Sequence, residues 1–351
     1  MISVIVPYYQ TEESLFDNCV RSILYNAEAD IELIIVDDGS DVKYHHICDK
    51  YLKDLRVKVY HLLHKGVSFA RNFGINASNG EWLMFVDSDD TIENDWYTQL
   101  AKFIKGRNDE VICFSGFKDV NGILSKNNFF IKENIDYGQD LDLKIRIMES
   151  ALSVGVLPKE NLSYYSLGSP CSKLYKTDFL NDNILRFDVE VTFAEDTLFA
   201  LNVFFKAAHI VYYDAYLYHY VLNEKSSTKK YRPGLAKEID MFFDKVYQFM
   251  NKNCLVIGLS NGYYIRAFVE LVHAMDNEFF HEQNCALKGI DFCKFDKFVN
   301  KEPYKTALSR MLFNDHNFRK KIFIILIKFR MYRVILCIKK MLALLRHFKF
   351  A

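Results

Sequence analysis

An acidic segment follows directly on an apolar run where the sequence reads EWLMFVDSDD, residues 81–90. The run Trp82 to Val86 is rich in strand-forming residues, so the acidic segment, Asp87 to Asp90, stands at the carboxyl end of a buried strand, where open α/β sheets bind ligands. Its three carboxylates repel one another unless a cation or hydrogen-bond donors offset the repulsion. Because Mg²⁺ and Mn²⁺ prefer oxygen ligands, commonly one or two carboxylates with water and substrate phosphates, the segment predicts a metal site. The alternative is a solvated turn in which Asp90 or Thr91 caps the next helix.

Other strand patterns surround this segment, and helical periodicity fills the gaps between the early ones. Strands are predicted at Ile2–Val6, Leu33–Val36, Val57–Leu62, Val111–Phe114 and residues 212–220, and helices after Thr11, after Ser40, over Val67–Ser78 and over residues 193–207. The alternation predicts an α/β fold with a mostly parallel sheet flanked by helices and joined by right-handed crossovers. From about Leu235 onward the pattern is helical throughout.

The carboxyl ends of the first two strands should share a sheet edge with the acidic segment. Strand one ends at Pro7 to Tyr9, and strand two ends at Asp37, Asp38, Gly39 and Ser40. An Asp-Gly-Ser sequence is also an ordinary turn that caps a helix, so by itself it indicates little about chemistry.

An arginine precedes the acidic segment in GVSFARNFGINASNG, residues 66–80. Arg71 falls early in a predicted helix that leads straight into the acidic strand, with Ala70 and Gly74 keeping that helix close-packed. Arg71 therefore either serves a ligand beside the acids or is their salt-bridge partner.

Together these motifs resemble the family-2 glycosyltransferases. The resemblance rests on PYYQTEESLFDNCVRSIL, IIVDDGS, GVSFARNFGI, FVDSDD and AEDTLF, in order, and covers roughly residues 1–220. It implies the Rossmann-like GT-A nucleotide-sugar-binding fold and transfer of a sugar, with inversion, from a nucleotide diphosphate donor such as a UDP-sugar. The implied acceptor is a glycan or lipid-linked oligosaccharide of cell-surface polysaccharide synthesis. His64 departs from the pattern, because relatives often have asparagine there.

The resemblance also assigns roles to individual residues. It implies that Asp89 is the direct metal ligand, for Mn²⁺ or Mg²⁺, with Asp87 ordering the ribose or a metal-bound water. The residues that it places around the donor are Pro7, Tyr9, Asp38, Arg71, Asp87 and Ser88.

The catalytic base and a further metal ligand are also predicted from the resemblance. An inverting displacement needs a carboxylate to deprotonate the acceptor hydroxyl, and the family's base corresponds to Asp196, with Glu195 as its neighbour. Two acids at a helix start are otherwise commonly dipole partners. His219 could ligate the metal, as a downstream histidine does in some relatives, or be a satisfied core residue.

Composition points to a globular protein of two units in a reducing compartment. Of 351 residues half are hydrophobic, which is ample for a core, and the eight cysteines show no CxxC or Cys/His spacing typical of zinc sites. The amino terminus does not read as a secretory signal. We expect a catalytic unit over residues 1–220, a helical unit over residues 221–351, and a cytoplasmic protein without a nucleic-acid partner.

The last 36 residues are strongly basic. Ten Lys and Arg and no acid follow Asp315, and residues 319–351 predict an amphipathic helix. Its apolar stripe contains Phe323, Ile327, Met331, Val334, Ile338, Met341 and Leu345. The pattern favours peripheral attachment to an anionic surface at the inner membrane face, and a packing or homodimerisation helix is the alternative.

Two other functions compete with glycosyl transfer. A nucleotidyltransferase shares the sheet and the metal carboxylates but usually has a glycine-rich loop after strand one, which PYYQTEES lacks. A catalytically inactive sugar-binding scaffold would not need Arg71, Asp89 and Asp196 together.

Overall fold

The computed structural model describes residues 1–25, 30–120, 122–127, 134–153, 167–222, 231–281, 283, 292–314 and 318–347. The chain divides into two compact units, Met1–Ser226 and Ser227–Ala351.

The first unit is built on a mixed sheet whose first four strands are parallel. The strands are β1 Ile2–Tyr8, β2 Ile31–Asp37, β3 Val57–His61, β4 Trp82–Phe85, β5 Thr91–Ile92, β6 Val111–Val120, β7 Ile123–Asn127, β8 Lys173–Lys176 and β9 Ile210–Val221. Among the described residues their order is β3-β2-β1-β4-β8-β6-β9-β5, with β7 paired to β6. Strand β8 runs antiparallel to β4 and β6, whereas β9 runs parallel to β6.

Helices connect these strands. In the first unit they are α1 Glu13–Leu24, α2 His45–Asp49, α3 Val67–Ala77, α4 Trp96–Ile104, α5 Leu141–Leu152, α6 Thr177–Asp182 and α7 Glu195–Lys206. The predicted helix after Ser40 is a 3₁₀ turn, Val42–Tyr44, followed by the short α2. The predicted α/β class with a mostly parallel early sheet is confirmed.

The central strands are buried along their whole length, as expected for parallel strands covered on both faces. The polar exceptions pair with each other: Ser3 donates to Glu32 at 2.6 Å. Lys58 and the backbone N–H of Asn79 also donate to Glu32, so its buried carboxylate is fully hydrogen-bonded.

A glycine lets helix α3 lie close against strand β1. A Cβ on Gly74 would come within 2.5 Å of the Ile5 side chain, so only glycine permits this approach. Because Arg71 is on the same helix, the close approach fixes the position of its guanidinium relative to the strand ends.

The second unit is helical. Its helices are α8 Leu235–Lys252, α9 Ser260–Ala274, α10 Phe292–Val299, α11 Tyr304–Asn314, α12 Phe318–Lys328 and α13 Tyr332–His347, with a π-helical turn, Met275–Phe279, after α9. Within the part of the chain that the structure describes, no helix combines the length and the apolar character needed to cross a bilayer.

The basic tail forms two helices where the sequence predicts one. Helix α12 ends in a Schellman motif: Met331 N–H donates to the Leu326 carbonyl, and Arg330 N–H donates to Ile327. Arg330 has the left-handed φ of 57° that this motif requires. The predicted stripe is divided as well, since Ile327 is buried whereas Met331, Val334, Ile338 and Met341 are exposed. Leu345 and residues 348–351 lie outside the described side chains.

Candidate active site

A cavity of about 310 Å³ opens at the carboxyl ends of the parallel strands. The sheet register brings these ends together, pairing Tyr8 with Asp37 and Ile5 with Phe85. The residues that line the cavity are Pro7, Tyr8, Tyr9, Thr11, Asp38, His64, Gly66, Val67, Arg71, Asp87, Ser88 and Asp89. All the residues predicted to contact the donor are therefore in one place, whereas Glu195, Asp196 and His219 are outside this lining.

Backbone amides hold the Asp38 carboxylate in the cavity wall. One oxygen accepts from Lys65 N–H at 2.8 Å and the other from Gly66 N–H at 2.9 Å. The oxygen that accepts from Lys65 keeps a second lone pair that could accept from a ligand. Nδ1 of His64 also lies 2.9 Å from this carboxylate, and the His64 ring stacks on Tyr9 with centroids 4.4 Å apart.

Gly39 makes this arrangement possible. Its φ is +74°, and a Cβ there would lie 2.3 Å from the backbone nitrogen of His64. Glycine therefore satisfies both a left-handed conformation and a close backbone approach.

Arg71 connects two acidic elements beneath the cavity. Its guanidinium is buried and donates to Asp87 at 3.0 Å and to Glu195 at 3.1 Å. Burial acts to lower the pKa of Arg71, but Asp87 and Glu195 outweigh it and raise that pKa, so the side chain stays charged. Burial and the adjacent Asp196 raise the pKa of Glu195 despite the arginine.

Asp89 provides a second carboxylate at the cavity. Burial, helped by the charge of Asp87, raises its pKa, so a bound cation would favour the ionised form. Asp87 and Asp89 offer only oxygen atoms as ligands, which fits Mg²⁺ or Mn²⁺. These ions are usually held by one or two carboxylates together with water and substrate phosphates. Ser88, between the two acids, shares a 2.6 Å hydrogen bond with Thr11.

Asp90 does not cap a helix. It is buried, and it accepts from Tyr218 at 2.5 Å and from Val221 N–H at 2.8 Å. Burial, then the charges of Asp87 and Asp89, raise its pKa well above the usual range. The Tyr218 hydroxyl also accepts from Asp87 N–H at 3.3 Å, so Asp90 and Tyr218 attach the acidic segment to strand β9.

Glu195 and Asp196 form the first turn of α7, where the helix dipole favours acids. The chain enters this helix through Ala194, whose left-handed φ of 54° is unusual for a residue other than glycine. Glu195 bonds to Arg71 as described, and Asp196 accepts from Thr197 N–H at 2.7 Å.

His219 is on β9 opposite Thr91, and its Nε2 lies 2.9 Å from Glu93. Its ring packs against Phe117 with centroids 5.0 Å apart. The structure does not place it with the cavity-lining acids.

Sequence reasoning missed Tyr218 and Thr11, which hold the acidic segment from two sides. Tyr218 is part of the run YYDAYLYHY, whose alternation predicts a strand but cannot distinguish one tyrosine from another. Thr11 was noted only as the residue before a helix.

Comparisons with known proteins match this chain to glycosyltransferases. The sequence profile of the family described as Glycosyl transferase family 2 matches residues 3–144. The chain is 28% identical over 261 residues to "Uncharacterized glycosyltransferase EpsJ" of Bacillus subtilis (strain 168), covering 72% of this chain and 70% of that protein. It is 33% identical over 212 residues to "Glycosyltransferase GlyG" of Streptococcus pneumoniae serotype 4, covering 58% of this chain and 67% of that protein.

A solved structure shows a similar fold. Staphylococcus aureus TarS, residues 1–349 in complex with UDP-GlcNAc, matches with a TM-score of 0.60 and 23% identity, over 89% of this chain and 80% of that one. The curated name of TarS is poly(ribitol-phosphate) beta-N-acetylglucosaminyltransferase. When the two sequences are aligned directly, TarS is 30% identical to this chain over 223 residues, which cover 62% of this chain and 35% of TarS.

Proposed function

Since the chain belongs to glycosyl transferase family 2 and has the GT-A fold, we propose that it transfers a hexosyl or N-acetylhexosaminyl group from a UDP-sugar to a cell-surface glycan or lipid-linked acceptor. Transfer proceeds with inversion at the anomeric carbon. Family membership favours this reaction over nucleotidyl transfer.

The observation that carries the proposal is the convergence of the predicted donor residues on one cavity. Tyr9, Asp38, Arg71, Asp87 and Asp89 come from four separate stretches of sequence and line the same space.

The nucleoside half of the donor fits the side formed by Tyr9 and Asp38. Uracil can stack on the half-exposed Tyr9 ring, and its N3–H can donate to Asp38, which the two amides hold in a fixed orientation. The complex of TarS with UDP-GlcNAc supports a uridine donor.

The diphosphate half fits beside Arg71 and the acidic segment. Arg71 is the charged base of the cavity lining nearest these acids, and its guanidinium would attract the negative charge of the diphosphate. A divalent cation held by Asp89 and Asp87 would offset the charge that develops on the diphosphate as the glycosidic bond breaks.

Asp196 is the proposed base, and Glu195 is its positioning neighbour. Arg71 joins Glu195 to Asp87, so the first turn of α7 is fixed relative to the donor cavity. An Asp196 carboxylate would take the proton of the acceptor hydroxyl on the face opposite the leaving group.

Nucleotide binding by the full-length chain tests the donor site. With Mn²⁺ present we expect UDP, but not ADP or GDP, to raise the melting temperature, and chelation to reduce that effect. Asp38→Asn should weaken UDP binding about 10- to 100-fold, since hydrogen bonds to charged groups contribute about 1.5–3 kcal/mol. Equal shifts with all three nucleotides, or none with any, would contradict the proposed donor.

Transfer assays test the base separately. Asp196→Asn should keep UDP affinity but reduce transfer by about 100- to 10,000-fold, while Glu190→Gln, an exposed acid before α7, should leave both unchanged. Full transfer by Asp196→Asn would assign the base to another residue.

We also propose that helices α12 and α13 attach the protein to an anionic membrane surface. The apolar side chains exposed in this segment are Ile322 and Ile325 on α12, Phe329 and Met331 between the helices, and Val334, Ile338 and Met341 on α13. Lys328, Arg330 and Arg333 are exposed between these apolar side chains. An apolar surface flanked by bases fits the boundary between acyl chains and anionic headgroups, where each base contributes about 1 kcal/mol.

Vesicle sedimentation tests this attachment. Phe329→Ser removes a side chain that is 74% exposed, and Ile257→Ser, at 91% exposed, is the matched change outside these helices. We expect Phe329→Ser, but not Ile257→Ser, to weaken binding to phosphatidylglycerol vesicles. Added salt should weaken the binding of both variants. Equal binding by both variants would contradict the proposed surface.

A further inference from the structure

A cluster of one acid and two histidines lies at the ends of β2 and β3. Asp37 and His61 are register partners at the ends of these parallel strands. His45 begins helix α2, and its ring stacks on His61 with centroids 3.9 Å apart. The sheet and the helix start therefore determine the spacing of the three side chains.

One atom from each side chain meets the others at the separations that a small metal ion requires. Asp37 Oδ2 lies 2.7 Å from His61 Nδ1 and 3.6 Å from His45 Nε2, and all three atoms lie within 4.8 Å of one another. A tetrahedral zinc ion with bonds of about 2.0–2.2 Å holds its ligand atoms about 3.3 Å apart. The two separations from Asp37 bracket that value, and the third, between the histidine nitrogens, is within 4.8 Å, so side-chain rotations could bring all three atoms to it.

Asp49 supplies the hydrogen-bond acceptor that a metal-bound histidine usually has at its second ring nitrogen. Its Oδ1 lies 3.0 Å from His61 Nε2, the ring nitrogen that does not face Asp37. Ligating histidines almost always donate their other N–H to a carboxylate, carbonyl or water, which fixes the tautomer and ring orientation. Ser40 N–H likewise donates to the other oxygen of Asp37 at 2.9 Å.

We propose that Asp37, His45 and His61 form a zinc site, distinct from the oxygen-only acids of the donor cavity. Two imidazoles and one carboxylate are a ligand set for zinc rather than for Mg²⁺. Both histidines are partly exposed, so a fourth position is accessible to water. Zinc would bind Asp37 Oδ2, His45 Nε2 and His61 Nδ1. The proton between Asp37 and His61 would be released to solvent, and His45 would give up its 3.2 Å contact with the Ser40 carbonyl and carry its proton on Nδ1 instead.

Metal titration of the full-length, metal-free chain tests the site. We expect one zinc equivalent to bind, and Co²⁺ in its place to give the intense visible absorption of a four-coordinate ion. His61→Asn and His45→Gln should each remove this binding, whereas Asp49→Asn should weaken it about 10- to 100-fold. Mg²⁺ should not compete.

Two controls identify the ligands. His46→Gln changes the exposed histidine beside His45, and Asp89→Asn changes the proposed donor-site ligand; both should keep the zinc equivalent. Equal zinc binding by wild type and by both His45→Gln and His61→Asn, or no binding by wild type, would show that His61 only bridges two carboxylates. Because the readout is metal content, neither result depends on transferase activity.

Discussion

Replacing Arg71 with methionine should destabilise the first unit. The guanidinium is 6% exposed and donates to Asp87 and Glu195 at 3.0 and 3.1 Å, and it lies 5.2 Å from the Phe187 ring. Methionine replaces the aliphatic part of the side chain, as far as Nε, with apolar atoms. It removes the positive charge that both acids share.

The size of the effect follows from the burial of the two acids. Removing one member of a buried ion pair costs about 3–5 kcal/mol, since the other charge stays buried without a partner. Glu195 is 15% exposed, but Asp87 is 35% exposed and retains some water. We therefore expect a loss of about 3 kcal/mol, and we expect Glu195→Gln in the methionine background to restore at least about 1 kcal/mol.

Denaturant unfolding followed by tryptophan fluorescence measures this loss. Trp82 and Trp96, the two tryptophans of the chain, are both buried in the first unit, so the signal reports that unit. Arg56→Met is the matched control, because Arg56 pairs with Asp54 at a partly exposed position, and its loss should be at most about 1 kcal/mol. Equal midpoints for the two variants would refute the buried network, as would the absence of any rescue by Glu195→Gln.

Three further changes test the supports around the site. Hydrogen bonds outweigh burial and lower the pKa of Glu32 from 4.5 to about 2; its ionised form therefore stabilises the fold above about pH 4.5, and this contribution is lost as pH falls toward about 2. Glu32→Gln should thus be less stable than wild type at about pH 7, and acid titration of the melting temperature should show the difference shrinking below about pH 4. Tyr218→Phe leaves Asp90 without its hydroxyl donor and should cost about 1–3 kcal/mol in denaturant unfolding, whereas an unchanged midpoint would mean that the bond contributes nothing. Gly39→Ala should lower both stability and UDP affinity. Gly106→Ala, with a similar left-handed φ of +73° but nothing within 4 Å of its Cβ, should lower stability alone, and equal UDP affinities of the two variants would contradict the steric argument.

The grouping of the donor residues at one cavity could be predicted because the parts of the cavity follow from local rules. Asp38 and the acidic segment directly follow apolar runs, and parallel strands bring their carboxyl ends to one edge. Arg71 is four residues into a helix that ends just before β4. Each residue thus reaches the site through an element whose pattern is visible within about ten residues.

The support from Tyr218 could not be predicted in the same way. It donates to Asp90 across 128 residues, and the contact depends on β9 lying parallel to β6 and next to β5. Periodicity identifies strands but does not determine their order beyond β4, where β8 enters antiparallel. The break at Arg330 was missed for a different reason, since no glycine or proline marks the left-handed residue there.

The alternation of side chains along a strand explains why two adjacent aspartates at the end of β2 face different sites. Successive side chains of a strand point to opposite faces, and here Asp38 faces the donor cavity whereas Asp37 faces His45 and His61. The family motif assigns a role to Asp38 alone, and the cysteine and histidine spacing gave no indication of zinc, because the histidines become neighbours only through the β2–β3 register. If the proposed zinc site exists, one backbone turn carries both sites. Zinc and UDP should then each change the affinity of the other by the same factor, because coupling between two binding sites is reciprocal.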